Sequence, residues 1–143
     1  MDLHTVKNLK LLKKLSLQKS DLLRLEMHEC LSQIAQLNTY SKELIASHLR
    51  EEEIAARAEH VEIAIAFAAY RAKNKSELFK TAKAASEIEK SYEILRDQLG
   101  DLFSEQKSYE ITIDDLKKKQ MMSDKQKEAQ YFDEVSMQRW RSK

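Results

Sequence analysis

The sequence predicts an all-α fold in which two long helices form an antiparallel coiled-coil hairpin. The first observation is compositional: the 143 residues include no proline and one glycine, and 34% of them are charged. Such a chain has almost nothing to interrupt a helix, and few aromatic residues from which to build a thick globular core. The second observation is a long series of apolar positions whose steps alternate between three and four residues, which is the spacing of a coiled-coil seam.

The strongest seam lies in the second half of the chain. Ten of its twelve positions are apolar or aromatic, whereas an average hydrophobic content of 42% predicts about five. The positions are Leu78, Thr81, Ala85, Ile88, Tyr92, Leu95, Leu99, Leu102, Gln106, Tyr109, Ile113 and Leu116. A seam of this length needs a facing helix to bury it.

The first half of the chain supplies that facing helix. The same steps recur at Leu23, Met27, Cys30, Ile34, Leu37, Ser41, Leu44 and His48, and the phase extends through Ala55, Ala58, Ile65, Ala69 and Ala72. Upstream, a slightly rotated stripe is formed by Leu9, Leu12, Leu15 and Leu22. The rotation predicts that the seam slips near Lys19.

The phase changes again between Ala72 and Leu78, and Asn74 and Glu77 have the spacing of a capping box for a new helix. We therefore expect one hairpin over residues 1–143, with helix 1 at about 3–72, helix 2 at about 75–138 and the turn near 72–75. The stretch Ser47–Arg57 is a rival position for the turn, because antiparallel registers that differ by seven residues pair equivalent seam positions. We interpret Gly100 as a tolerated weak point, with a third helix from Asp101 as the alternative.

Composition and motifs argue against several classes of function. The 25 Lys and Arg nearly balance the 24 Asp and Glu, so no net positive field favours nucleic acid. The four histidines form no metal-ligand pattern, and no glycine-rich phosphate loop or nucleophile elbow is present. One cysteine suits a reducing compartment, and the apolar run from Ile63 to Tyr70 is too short to cross a bilayer. We expect a cytoplasmic, non-enzymatic protein without cofactor or metal, whose partners are proteins.

Two sets of residues are candidates for contact with those partners. The first lies along one side of helix 1 with steps of four, three and four: Gln33, Leu37, Tyr40 and Leu44. Tyr40 falls one position off the seam, so its ring can pack at the edge with its hydroxyl in water. The second set is the C-terminal tail, 125–143, in which aromatic and apolar groups stand beside Lys and Arg. Packing of the tail against Leu9 and Leu12 is the alternative.

At these residues the chain resembles the FliJ family of flagellar type III export proteins. The segment 33–44 is similar to that family's pattern of Gln, a hydrophobe, Leu, Tyr and Glu followed by an aromatic, here at Gln33, Ile34, Leu37, Tyr40, Glu43 and Leu44. Leu44 stands where the family has the aromatic. The tail resembles the family's C-terminus at Gln126, Lys127, Asp133, Glu134, Val135, Ser136 and Arg139.

The resemblance implies an antiparallel coiled coil similar to the central stalk of rotary ATPases. Such a protein would link the export ATPase ring to the cytoplasmic domain of the membrane export gate and bind export chaperones, in the cytoplasm and peripheral to the inner membrane. Gln33, Leu37, Tyr40 and Leu44 would then contact the gate. The tail would dock on the ATPase through Gln126, Lys127, Phe132, Asp133, Glu134, Val135, Arg139 and Trp140. The alternatives are a cytoplasmic scaffold or dimerisation module unrelated to secretion, and a stalk subunit of another rotary ATPase.

Overall fold

The computed structural model describes residues 2–142, which form two long helices packed against each other as an antiparallel hairpin. Helix α1 spans Asp2–Arg57 and helix α2 spans Val61–Arg141. No strand occurs in this part of the chain. Glu62 in the first turn of α2 and Arg139 and Arg141 in its last turn complement the partial charges at the helix ends. The all-α hairpin predicted from the sequence is confirmed.

The turn lies at residues 58–60, so the predicted turn near 72–75 and the helix limits 3–72 and 75–138 are wrong. The amide of Ala58 donates to the Ala55 carbonyl at 3.2 Å, and the amide of Ile63 donates to the His60 carbonyl at 3.2 Å. Both are bonds over three residues that tighten the helix ends. The segment Ala58-Glu59-His60 contains no glycine, proline or asparagine, so it carries no turn signal in the sequence.

The chain divides into two compact units. Met1–Asp21 and Gly100–Lys143 form the first, here called the terminal unit, and Leu22–Leu99 form the second, here called the tip unit. Helix α2 is continuous through Gly100, whose φ is not positive, so no third helix begins at Asp101. The strongest predicted seam is confirmed, because each of its twelve residues is buried or half-buried.

In the terminal unit, the most buried residues of α1 are two serines, and of the predicted leucines Leu9 is half-buried while the others are exposed. Ser16 and Ser20 are 3% and 1% exposed, whereas Leu12 and Leu15 are 45% and 46% exposed. Gln106 Nε2 donates to Ser20 Oγ at 2.8 Å and to Ser16 Oγ at 3.3 Å. These positions keep the phase of Leu23 and Met27 along α1, so the predicted slip near Lys19 is wrong.

A charged pair borders this polar layer. Lys13 Nζ lies 3.0 Å from Glu110 Oε1, and both side chains are partly exposed. The hydrogen bond from Lys13, together with its positive charge, lowers the pKa of the Glu110 carboxyl. The neighbouring Tyr109 hydroxyl donates to Glu105, and this bond raises the pKa of Tyr109. Such surface pairs add little stability and serve mainly to flank the seam.

In the tip unit, α2 faces α1 through Phe67, Tyr70 and Asn74. Asn74 is 6% exposed and lies within α2, well past its first turn, so it packs between the helices and does not cap one. The predicted extension of the first seam holds for Ala55 and Ala58, which are half-buried. It fails at three positions that are exposed, namely Ile65, Ala69 and Ala72.

Candidate functional site

The predicted gate-binding residues lie on α1 in the tip unit. Leu37 and Leu44 are half-buried in the seam, as predicted. Gln33 is exposed and donates from Nε2 to Glu29 Oε1 at 3.2 Å, and the Tyr40 side chain is 42% exposed. Helical spacing places all four side chains along one side of α1. Gln33 and Tyr40 are therefore available to a partner, whereas Leu37 and Leu44 also hold the two helices together.

The predicted docking tail is the C-terminal end of α2 in the terminal unit. Helix α2 has 81 residues against 56 in α1, and its half-buried seam positions stop at Gln120 and Ser123. Among residues 124–142, Val135 is half-buried and the others are exposed. This part of α2 is a helix that no other described element covers.

The tail carries large apolar side chains on this uncovered helix. Phe132 is 59% exposed and Trp140 is 80% exposed, and the rings of Tyr131 and Phe132 meet edge to face at 6.1 Å between centroids. The charged and amide residues of the predicted site are all exposed, namely Gln126, Lys127, Asp133, Glu134 and Arg139. A shallow groove of about 270 Å³ is lined by Glu134, Met137, Gln138 and Arg141. The exposure of the aromatic rings contradicts the alternative in which the tail packs against Leu9 and Leu12.

A further surface, which sequence reasoning did not assign, lies beside the turn in the tip unit. A groove of about 310 Å³ is lined by Glu51, Ile54, Ala55, Ile63, Ala66, Phe67 and Tyr70. Two contacts fix its aromatic residues: Tyr70 and Ser47 share a hydrogen bond of 2.6 Å between their hydroxyl oxygens, and the Phe67 ring lies 5.7 Å from the His48 ring. The feature of the sequence that could have indicated this surface is the apolar run from Ile63 to Tyr70.

The described residues offer no site for metal chemistry. They contain no group of three or more histidine, cysteine, aspartate or glutamate side chains placed to hold a metal ion. Neither α1 nor α2, over the residues described, has a stretch long and apolar enough to cross a membrane. Cys30 is a free, half-buried thiol on α1.

No protein-family model, no curated protein and no solved structure matches the chain.

Proposed function

We propose that the chain is a non-enzymatic stalk and adaptor of a flagellar (type III) protein export apparatus. It links the export ATPase ring to the cytoplasmic domain of the membrane export gate and binds export chaperones, in the cytoplasm at the inner membrane. The observation that carries the proposal is the uncovered C-terminal part of α2, beyond Ser123. Phe132 and Trp140 are exposed aromatic residues near the end of a long helix. Such residues favour a segment that binds a partner over a segment that stays in solvent.

Two further observations support the same function. Four side chains of the motif that resembles the FliJ family lie along one side of α1, namely Gln33, Leu37, Tyr40 and Leu44, and Gln33 and Tyr40 are exposed. The gate and ATPase residues belong to different compact units, the tip unit and the terminal unit. An adaptor needs separate surfaces for its two partners, and the proposal assigns one to each unit.

Capture by the purified export ATPase tests the proposal. The full chain, immobilised through its N-terminus, is expected to retain the ATPase ring, and the cytoplasmic domain of the export gate is expected to bind the same immobilised chain together with it. Failure to retain either protein at low salt would reject the export assignment, since surface charge contacts are strongest there.

A scaffold or dimerisation module is the second candidate, and a specific observation favours it. Five leucines of α1 in the terminal unit have exposed side chains, namely Leu3, Leu11, Leu12, Leu15 and Leu17. Leu11, Leu12 and Leu15 lie next to one another on the helix, and contiguous exposed apolar groups are typical of an interaction surface. Sedimentation equilibrium over a range of concentrations distinguishes the two functions. A stable dimer that does not bind the ATPase supports the scaffold, and a monomer that does supports the adaptor.

A further inference from the structure

The first turns of α2 have an apolar character that a two-helix hairpin does not satisfy. Between Val61 and Tyr70 the only charged residue is Glu62. A helix that is apolar on all faces is normally covered on all faces. Here α1 covers one face, and in this run Phe67 and Tyr70 alone are half-buried while the others are exposed. The remaining apolar surface includes the 310 Å³ groove beside the turn.

The shape of this tip groove suits the side chains of a third helix. Ala55 and Ala66 carry only a methyl group, so they leave the space that the larger Ile54, Ile63 and Phe67 surround. Tyr70 and Phe67 are held from below by their contacts with Ser47 and His48. An amphipathic helix commonly binds in an apolar groove of its partner, into which it inserts apolar side chains spaced by three and four residues.

The charge around the tip groove defines the polar face of the occupant. From residue 50 to residue 63, the chain has two arginines, Arg50 and Arg57, and five glutamates, all exposed: Glu51, Glu52, Glu53, Glu59 and Glu62. Glu51 itself lines the groove. We propose that the tip groove binds a basic amphipathic helix of a partner protein, with its apolar side chains over Ala55 and Ala66 and its Lys or Arg near the glutamates. This inference does not depend on the proposed function in protein export.

Two other occupants fit the charge less well. In a two-fold dimer through the tip groove, each acidic rim would face its own copy, and like charges across an interface are unfavourable. A membrane surface that carries anionic lipids would likewise repel the glutamates. A partner helix with lysine or arginine at its edges meets both the apolar groove and the acidic rim.

A pair of synthetic peptides tests the inference with the full chain. Both are fluorescein-labelled helices with leucine at steps of three and four, and their polar positions are lysine in one and glutamate in the other. In an anisotropy titration, we expect the lysine peptide to bind more tightly than the glutamate peptide by a factor of about ten or more, because the acidic rim attracts lysine. Glu51→Lys should weaken that binding. Equal affinities of the two peptides, or no binding of either, would overturn the inference.

A matched pair of variants separates binding in the groove from attraction to surface charge. Ala66→Glu places a carboxylate in the groove, whereas Ala69→Glu adds the same charge to an exposed residue outside it. Both replacements are good helix formers, so the hairpin should fold, which circular dichroism checks. Ala66→Glu should weaken binding of the lysine peptide about tenfold, although the added carboxylate attracts lysine. Ala69→Glu should not weaken that binding.

Opposite results assign the surface differently. If the lysine peptide binds Ala66→Glu equally or more tightly, it recognises charge alone, and the inference that it binds in the tip groove would be overturned. A concentration-dependent dimer that Ala66→Glu abolishes would assign the tip groove to a second copy of the chain. Sedimentation of the chain with phosphatidylcholine vesicles, lost in Ala66→Glu but kept in Ala69→Glu, would assign it to a lipid surface.

Discussion

Gln106 on α2 donates from Nε2 to Ser20 Oγ on α1 at 2.8 Å, in a layer from which solvent is almost excluded. The second amide proton is directed to Ser16 Oγ at 3.3 Å, and Ser20 Oγ donates to the Ser16 carbonyl at 3.1 Å. A buried amide of this kind fixes how two helices align, because a shifted register leaves it without partners. The terminal unit therefore has a polar contact at the centre of its seam.

Removal of the two serines should destabilise the hairpin. Ser16→Ala combined with Ser20→Ala leaves the Gln106 amide buried without acceptors, and we expect a loss of about 1–3 kcal/mol in the free energy of unfolding by urea. Adding Gln106→Leu should restore most of that loss, since an apolar layer needs no hydrogen bonds. If the double serine variant is as stable as the parent chain, Gln106 finds water and the layer has no energetic role.

Two isoleucines of α2 provide a matched test of the packed face. Ile113 is 6% exposed and Ile111 is 53% exposed, two positions apart on one helix. Ile113→Ala should lower the free energy of unfolding by about 2–5 kcal/mol because it opens a cavity. Ile111→Ala should change it by about 0.5 kcal/mol or less. Thermal and urea unfolding measure both, and similar losses would mean that a different face of α2 meets α1.

Leu95 and Leu99 are half-buried in the seam of the tip unit. Replacement of either by alanine should cost about 2 kcal/mol, the lower end of the range for fully packed leucines. Lys118→Ala should have almost no effect, because the side chain is exposed. Equal changes at all three positions in urea unfolding would contradict the assigned seam.

Gly100 is a site at which the chain can be made more stable. It lies within α2 with a helical backbone, and a Cβ added there would meet nothing within 4 Å. Gly100→Ala should therefore raise the free energy of unfolding by about 0.5–1 kcal/mol, through the higher helix propensity of alanine. A loss of stability would mean that the backbone at residue 100 departs from a helix in solution.

The seam of α2 was predictable because its apolar residues are large and keep one phase. From Leu78 to Leu116 the three-and-four spacing identified twelve buried or half-buried residues, including the polar Thr81 and Gln106, and missed the half-buried Ala84 and Glu110. In the first twenty residues, the same reasoning was right for Leu9 and wrong for Leu12 and Leu15. Those two leucines lie beside the seam, and Ser16 and Ser20 lie in it, where they accept hydrogen bonds from Gln106. A pattern of hydrophobicity does not report the hydrogen bonds of a facing helix.

The position of the turn was not predictable for a different reason. From Ala55 to Ala72, alanines fall on every face of a helix, so the apolar positions match several helical phases equally well. Asn74 and Glu77 match a capping box, but their spacing of three residues also occurs within helices. Their identity gave no indication that Asn74 packs against α1. The partner-binding surfaces could be located only as exposed side chains, since exposure does not name what covers them.

Deletion of residues 131–143 should separate docking from folding. These residues lie beyond the last half-buried seam positions, Gln120 and Ser123, so we expect almost unchanged thermal unfolding and a loss of ellipticity limited to the deleted turns. Capture by the export ATPase should fall sharply, and Trp140→Ala alone should reproduce part of the loss. Ile94→Ala, which removes another exposed apolar side chain, in the tip unit, is the control. Unchanged capture would mean that the ATPase contacts a part of the chain other than residues 131–143.

Tyr40→Ala is the cleanest test of the gate-binding surface on α1. Leu37→Ala would open a cavity in the seam and remove part of the surface at once, so its loss of binding would be ambiguous. Tyr40 is 42% exposed and lies off the seam, and its removal should change thermal unfolding little. An aromatic residue buried by a partner is often worth about 2 kcal/mol or more of affinity.

We therefore expect Tyr40→Ala to weaken binding to the cytoplasmic domain of the export gate at least tenfold and to reduce secretion, as measured by calorimetry and by export of a reporter. Binding to the ATPase should not change, because the tail belongs to the terminal unit. Leu49→Ala, which removes another exposed side chain from α1 outside the motif, is the matched control. Normal gate binding by Tyr40→Ala would make the resemblance at Gln33–Leu44 a coincidence of helical spacing, and the export assignment would then depend on the tail alone.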